Sequence, residues 1–313
     1  MAEVVGSGTG RVLRAQSGFY DVSRGDGTIR AVLRGILKKD RQETGLVALG
    51  DIVRYDVLAL PEGDSGQVEA VITGIEPRAS SLSRRAPGPK GVWAQDVVVA
   101  NVDQLIVVFA VQHPAPSPRM LDRFLAVAEI DEIDSVIVFN KTDLGVPDDV
   151  GEAIERYRAI GYQVLLTSAE HGSGVQDLRE LLAARTSAVV GPSGVGKSRL
   201  LNEIEPGLGL KVGAVSDSVA KGRHTTRVGE LHRLSSGGLV ADTPGLREIG
   251  VWEVDPGELE WAFVEFRPHI NSCRYYDCTH VHEPGCAVCA AVEDGQISSE
   301  RHDSYVRLLE DEG

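Results

Sequence analysis

Eight consecutive residues, Gly191-Pro192-Ser193-Gly194-Val195-Gly196-Lys197-Ser198, fit the Gly-x4-Gly-Lys-Ser/Thr pattern of a phosphate-binding loop at every fixed position. Glycines let successive backbone N–H groups converge on phosphate oxygens, and the N-terminus of a following helix reinforces the site. A lysine at the seventh position reaches β- and γ-phosphates, and a serine hydroxyl at the eighth ligates Mg²⁺. The context required by that chemistry is present. Residues 187–190 read as an apolar strand entering the loop, and residues 199–204, beginning with Arg199, read as the helix leaving it.

A phosphate loop does not choose its base; Asn140-Lys141-Thr142-Asp143 does, because it ends an apolar strand at 135–139. Ligands of open α/β sheets bind beyond the carboxyl ends of the strands. An aspartate there accepts two hydrogen bonds from the N1–H and N2–H₂ edge of guanine, donors that adenine lacks. Asn140 is expected to tie the loop and meet the base, and the Lys141 stem to cover the ring. The next strand runs into Thr167-Ser168-Ala169, a second segment suited to guanine O6, so GTP and GDP are the expected nucleotides.

Asp242-Thr243-Pro244-Gly245 ends a further apolar strand at 238–241. Asp242 is placed to hold Mg²⁺ through water, and the Gly245 N–H to sense a γ-phosphate. Between this motif and the phosphate loop lies Gly222-Arg223-His224-Thr225-Thr226-Arg227, where Thr225 or Thr226 can bind Mg²⁺ and order the loop in the triphosphate state. The residues after Gly245 are Leu246 and Arg247, not the water-orienting glutamine of many GTPases, so slow intrinsic hydrolysis is expected. His224 is the nearest candidate for a catalytic element; a histidine that only structures its loop is the alternative. The base-reading segments precede the phosphate loop, the reverse of the usual order. This is the signature of a circular permutation.

All four cysteines lie between positions 273 and 289. Dense clustering without an export signal points to a metal, not to disulfides. Cys273, Cys278, His280 and Cys286 supply three sulfurs and one imidazole, the donor set of a closed tetrahedral zinc site. Cys289, His282 and Asp277 are rival ligands. Pro284, Cys286 and Cys289 faintly resemble a zinc deaminase signature, but His282 and Glu283 are adjacent, whereas that chemistry needs one residue between them. A structural metal is the reading favoured.

These motifs need a scaffold, and the 313 residues suffice for two or three domains. Hydrophobic content of 42% and charged content of 25% are those of a soluble globular protein. No signal peptide is apparent, and the longest strongly apolar run, 105–111, is too short to cross a bilayer. A cytoplasmic location without membrane contact is expected. Short strand patterns at 11–15, 18–22, 28–33, 51–57 and 67–75 suit an OB-type barrel. The Pro/Gly/Arg-rich stretch 80–95 has no periodic apolar character and reads as a connection, with 86–96 a linker or insertion. From Asp103 onward strands alternate with helices, the pattern of a parallel sheet covered on both faces. After Asp255 two helical stretches flank the cysteines. The expected division is therefore a barrel at 1–80, a permuted P-loop GTPase domain at 81–255 and a zinc-binding helical domain at 256–313.

Net charge is −14, which alone argues against a nucleic-acid partner. Its distribution weakens that argument: residues 1–90 carry 13 Lys/Arg against 11 Asp/Glu, so the remainder holds −16. Arg30, Arg34, Lys38, Lys39 and Arg41 form one basic cluster, and Arg78, Arg84, Arg85 and Lys90 another. Such runs serve either as solvated faces or as phosphate contacts.

Taken together, the residues resemble one family, the ribosome-small-subunit-dependent GTPase A family (RsgA, also called YjeQ). The resemblance rests on the permuted order, the Gly-Pro-Ser-Gly-Val-Gly-Lys-Ser loop, Gly-Arg-His-Thr-Thr, Asp-Thr-Pro-Gly and the Cys/Cys/His/Cys spacing. The junction from Ile75-Glu76-Pro77-Arg78 to Ala100-Asn101-Val102-Asp103-Gln104 agrees as well. It implies an OB barrel, a permuted GTPase and a zinc domain in a monomeric late assembly factor of the small ribosomal subunit. It further implies contact with 16S rRNA, GTP hydrolysis stimulated by the subunit, and release coupled to that hydrolysis. By matching motif it implies Cys273, Cys278, His280 and Cys286 as zinc ligands and His224 as the candidate catalytic histidine.

Overall fold

The computed structural model describes residues 4–25, 27–34, 47–59, 69–87, 93–211, 229–241 and 256–312. Chain contacts divide it into two compact units. One holds residues 1–103, 182–189 and 216–248; the other holds 104–181, 190–215 and 249–313.

The first unit is built on strands β1 (Val4–Gln16), β2 (Phe19–Arg24), β3 (Gly27–Leu33), β4 (Ile52–Leu58) and β5 (Ala70–Ile75). Their pairings run β1-β2-β3-β5-β4 and back to β1, with only β3–β5 parallel, which closes a five-stranded barrel of OB type. Alternation buries one side of each strand. Val12, Tyr20, Val22, Ile29, Ala31, Val53, Tyr55 and Ile72 meet in a single core. β1 is far longer than the 11–15 expected from sequence. Its first half pairs with β4 and its second with β2, a division set at an irregularity between Val12 and Arg14. Gly6, Gly8 and Gly10 break the apolar alternation there, so the strand is carried by its neighbour's hydrogen bonds and not by its own pattern.

Residues 80–96 are not a featureless connection. β6 (Ser81–Pro87) and β7 (Trp93–Ala100) form an antiparallel ribbon, with Leu82 and Val99 fully buried. The ribbon's sequence lacks a readable apolar period, which is why composition suggested a linker. The chain is pinned where it enters and leaves this ribbon. Arg78 donates through Nε and Nη2 to the two carboxylate oxygens of Asp51, at 2.7 and 2.9 Å, and the Ala48 N–H donates to the same carboxylate. Asp51 is fully buried, so this bidentate pair is structural, and it holds the Arg78 pKa above its ordinary value. Asn101 donates to the Gly50 carbonyl and accepts from the Ala79 N–H. In the same unit, β12 (Gly229–Arg233) pairs with the end of β1, and β13 (Leu239–Ala241) bridges β12 to β11 (Thr186–Val190). Strand β12 had no sequence-level counterpart.

In the second unit β8 (Gln104–Ala110), β9 (Asp134–Asn140) and β10 (Gln163–Leu166) form parallel pairs in the order β10-β9-β8. Every residue of β8 is buried, as its unbroken apolar run required. Helices α1 (Pro118–Ile130), α2 (Asp148–Ile160) and α3 (Val175–Leu182) alternate with the strands, and α4 (Lys197–Ile204) follows the phosphate loop. The Ser117 hydroxyl caps α1, with Pro118 at its first position. Four helices occupy the C-terminal stretch: α5 (Pro256–Ala262), α6 (Arg267–Ile270), α7 (Ala287–Glu293) and α8 (Ser299–Glu312). Among the described residues no helix is long and apolar enough to cross a membrane.

A buried arginine fastens α8 to the rest of this unit. Arg301 is 2% exposed; it donates to both carboxylate oxygens of Glu265, at 2.6 and 3.1 Å, and to Asp122 of α1. Asp122 in turn accepts from the Tyr157 hydroxyl of α2 at 2.7 Å, and the guanidinium lies 4.3 Å from the Phe263 ring centroid. Burial opposes the guanidinium charge, but Asp122 and Glu265 more than offset that and hold the Arg301 pKa well above its ordinary value. Replacing Arg301 with leucine strands two carboxylates without a cation, and loss of one partner from a buried ion pair costs about 3–5 kcal/mol. Urea unfolding of Arg301→Leu is expected to show that loss, whereas Arg158→Leu, which removes an exposed pair with Glu155, should shift the midpoint little.

Candidate functional site

The phosphate loop owes its shape to left-handed glycines packed against neighbouring chain. Gly191 has φ 134° and Gly196 φ 97°. A Cβ at Gly191 would sit 2.0 Å from the Val108 carbonyl oxygen, and one at Gly196 would sit 2.5 Å from the Asn140 amide nitrogen. Both positions therefore exclude side chains for space as well as for backbone conformation. Val195 is fully buried and anchors the loop, Pro192 is half-buried, and Ser193 and Gly194 form its exposed tip. Lys197 is 6% exposed, and its ammonium donates to the Gly191 and Pro192 carbonyls at 2.6 and 2.7 Å. It is thus held across the concave side of the loop, from which it can reach phosphate oxygens. Ser198 follows, half-buried, in the first turn of α4.

Asn140 connects this loop to the base-reading strand. Its amide NH₂ donates to the Val195 carbonyl at 2.9 Å, and its carbonyl oxygen accepts from the Thr167 hydroxyl and the Ala169 N–H, each at 3.2 Å. One side chain, 1% exposed, therefore fixes three segments relative to one another. Lys141 adopts φ 65°, which turns the chain sharply after the strand, and its ammonium donates to the His113 carbonyl. Thr142 donates from both N–H and hydroxyl to the Thr167 carbonyl at 3.1 Å. Asp143 is exposed and accepts from the Ser168 hydroxyl at 2.5 Å. That bond holds its carboxyl below the usual aspartate range, so the acceptor a guanine edge requires is present at any physiological pH.

Sequence reading missed several braces around this site. Gln112 donates to the Leu144 and Gly145 carbonyls, at 3.0 and 2.9 Å, behind the base-reading loop. Arg199 forms an ion pair with Glu170, which joins the helix after the phosphate loop to the residue after Ala169. Neither pairing has a sequence signal, because the partners lie 29 or more positions apart in chain. Asp242, Gly245, His224, Thr225 and Thr226 lie outside the described residues.

Each of Cys273, Cys278, His280 and Cys286 offers one ligand atom, and these atoms all lie within 4.8 Å of one another. A tetrahedral zinc with bonds of about 2.3 Å to sulfur and 2.0 Å to nitrogen sets ligand–ligand edges of roughly 3.5–3.8 Å. The separations fit: Cys273 Sγ to His280 Nδ1 is 3.5 Å, His280 Nδ1 to Cys286 Sγ 3.4 Å, and Cys273 Sγ to Cys286 Sγ 3.9 Å. The rivals do not join them. Cys289 turns its thiol to the His280 carbonyl, 3.6 Å away, and Asp277 and His282 are exposed. Outer partners complete the arrangement. Glu260 lies 2.7 Å from His280 Nε2, which fixes the tautomer that leaves Nδ1 for metal, and the Ala287 and Cys289 N–H groups donate to sulfur. Glu283 accepts from the N–H groups of Thr279, Val281 and His282 and from the Thr279 hydroxyl. Burial opposes its charge, yet those donors hold its pKa at about 2. Burial also pushes the Cys278 thiol up to about 12 and Cys286 up to about 11, so a metal must displace protons to bind.

Two outcomes follow from this geometry. Asp143→Asn replaces a charged acceptor by an amide that mismatches one guanine donor, and GTP affinity measured by fluorescence titration should fall by at least about tenfold. Unchanged affinity would remove Asp143 from base recognition. Chelation of metal should melt the 273–289 knuckle, seen as lost protection in hydrogen exchange, and retention should weaken as pH falls because protons compete for the thiolates. Guanine-nucleotide affinity should change little, since the knuckle's outer hydrogen bonds run to Glu260, His302 and Tyr305 of the C-terminal helices.

Comparison with known proteins covers nearly the whole chain. Residues 75–252 match the RsgA GTPase family, and residues 9–63 match the RsgA N-terminal domain. A relative from Gemmatimonas aurantiaca, named small ribosomal subunit biogenesis GTPase RsgA, is 45% identical over 97% of both chains. One of the same name from Moorella thermoacetica is 42% identical over 96% of both. Among solved structures, YjeQ from Thermotoga maritima matches with a TM-score of 0.76 at 34% identity over 98% of each chain. YloQ, described as a circularly permuted GTPase, matches at 0.71 with 32% identity over 98% of this chain and 96% of its own. With its base-reading loop ahead of its phosphate loop and an OB-type barrel before both, this chain belongs to the RsgA GTPase family.

Proposed function

We propose that this protein hydrolyses GTP as a late maturation factor of the small ribosomal subunit, and that the subunit stimulates the hydrolysis. The observation that carries the reading is the Asn140 tie, which brings the guanine-reading loop and the phosphate loop into one site. The relatives' printed role supplies the partner. The proposed parts are a barrel at 1–80, a permuted GTPase domain at 81–255 and a zinc-binding helical domain at 256–313.

In this reading Asp143 takes the guanine N1–H and N2–H₂ donors while Ser168 aligns its carboxylate, and Ala169 lies beside O6. Lys197 exchanges its loop carbonyls for β- and γ-phosphate oxygens. Ser198, Thr225 or Thr226, and Asp242 through water would hold Mg²⁺, which neutralises charge on the phosphates when bound. The Gly245 N–H senses the γ-phosphate. With Leu246 where a water-orienting glutamine is common, His224 or a group of the subunit completes the site. Zn²⁺ on Cys273, Cys278, His280 and Cys286 is structural. The 16S rRNA surface draws on the basic residues of the barrel and ribbon, Arg30, Arg34 and Arg84 among them. Arg78 is not part of it, because its guanidinium is committed to Asp51. The protein acts as a cytoplasmic monomer.

Phosphate release measured with and without purified small subunits tests the reading. Hydrolysis should be slow alone and rise at least about tenfold with subunits, a modest part of what a supplied catalytic group can contribute. No acceleration would sink it. The missing glutamine also supports a second reading, a GTP-gated RNA-binding switch in which turnover is incidental. Normal subunit maturation by a Lys197→Ala variant that still binds GTP but does not hydrolyse it would favour that one.

A further inference from the structure

The turn between Cys273 and Cys278 carries Arg274-Tyr275-Tyr276-Asp277. Tyr276 is fully exposed and Tyr275 nearly half so, in a protein whose other aromatics are mostly buried. Neither hydroxyl has a hydrogen-bond partner among the described residues. The knuckle is held instead by the cysteine sulfurs, Glu283 and backbone bonds such as Arg274 N–H to the Gly285 carbonyl at 3.1 Å. Tyr276 buries no surface here, so folding alone does not explain an aromatic at this position.

The arrangement is nonetheless ordered. The Arg274 guanidinium lies 5.5 Å from the Tyr275 ring centroid, and no acidic side chain pairs with it among the described residues. Its aliphatic stem runs across Gly285, where an added Cβ would sit 3.1 Å from Arg274 Cβ and 3.3 Å from Cδ. A guanidinium stacked on one ring beside a second, free ring is the makeup of a surface that takes unstacked nucleobases.

Charge decides which part of an RNA such a surface engages. Residues 256–313 carry 12 Asp/Glu against 4 Lys/Arg. Of those cations Arg301 is buried and Arg267 pairs with Glu129, which leaves Arg274 and Arg307 exposed among twelve carboxylates. A region this acidic repels a phosphate backbone, so contact here must come from stacking and not from neutralised phosphates. The geometry points to Arg274, Tyr275 and Tyr276 as a platform on which an unpaired RNA base stacks when the protein sits on its RNA partner. This inference rests on the small-subunit reading above.

The test uses the full-length zinc-loaded protein with a non-hydrolysable GTP analogue and purified small ribosomal subunits. Tyr276→Ala should weaken subunit binding by about 5- to 150-fold, the range for loss of one stacked base, and Tyr276→Trp should restore it. Because no phosphate contact is lost, the dependence of affinity on salt should keep its slope in Tyr276→Ala, whereas Arg30→Ala in the barrel should flatten it. Zinc content and subunit-free GTP hydrolysis should match the unsubstituted protein. A photo-crosslinking amino acid at position 276 should capture RNA. Capture of a ribosomal protein alone, or unchanged affinity of Tyr276→Ala, would overturn the platform. If the unsubstituted protein itself fails to bind subunits, both the platform and the partner reading are wrong; if it binds and only the variant result fails, the partner reading stands.

Discussion

The nucleotide site depends on one buried amide. Asn140 ends β9 and is too short to serve two segments unless both come to it, so the phosphate loop must pass at Val195 and the 167–169 segment must pass at Ala169. Its NH₂ and carbonyl oxygen are both satisfied, which a buried amide requires, and breaking either bond strands a polar atom away from water. Gly196 is glycine because that same amide occupies the space a Cβ would need. Permuting the motif order leaves this knot unchanged, since hydrogen bonds register position in space and not order along the chain. That is how a guanine reader can come first in sequence and still serve a phosphate loop that begins fifty-one residues later.

Buried charge organises the rest in a similar way. Arg78 on Asp51 fixes the exit of the barrel to the start of the ribbon. Arg301 on Asp122 and Glu265 fixes the last helix to α1 and α2. Each guanidinium is planar and multiply donating, so it positions its partners in angle as well as distance. These pairs also change how the chain's charge is counted. Arginines that look like RNA contacts in sequence are partly internal, as Arg78 and Arg301 are. On the proposed reading, an RNA partner would meet a basic barrel face, sensitive to salt, and the exposed rings of the knuckle, which are not.

The phosphate loop, the Asn-Lys-Thr-Asp segment, the fully buried β8 and the Cys/Cys/His/Cys group were legible from residue type and local spacing alone. Each is a local constraint: a glycine where φ is positive, an apolar run where a strand is covered on both faces, donors within one short turn. Strand β12, the ribbon strands β6 and β7 and the length of β1 were not legible, because their own alternation is weak and β1 is extended by pairing with the remote β4. Composition suggested a linker where antiparallel backbone pairing makes a ribbon.

The sequence by itself determined which chemistry this chain can attempt, since guanine selectivity, phosphate binding and a three-sulfur metal site follow from residue identity within short windows. Only the tertiary structure decided which groups are available for it. It spent Arg78 on Asp51, aimed the Cys289 thiol at the His280 carbonyl, set Glu260 behind His280 and left Tyr276 in solvent. Those outcomes depend on contacts between residues remote in the chain, and the energy of a buried charge or an exposed ring is defined only once the fold has placed its neighbours.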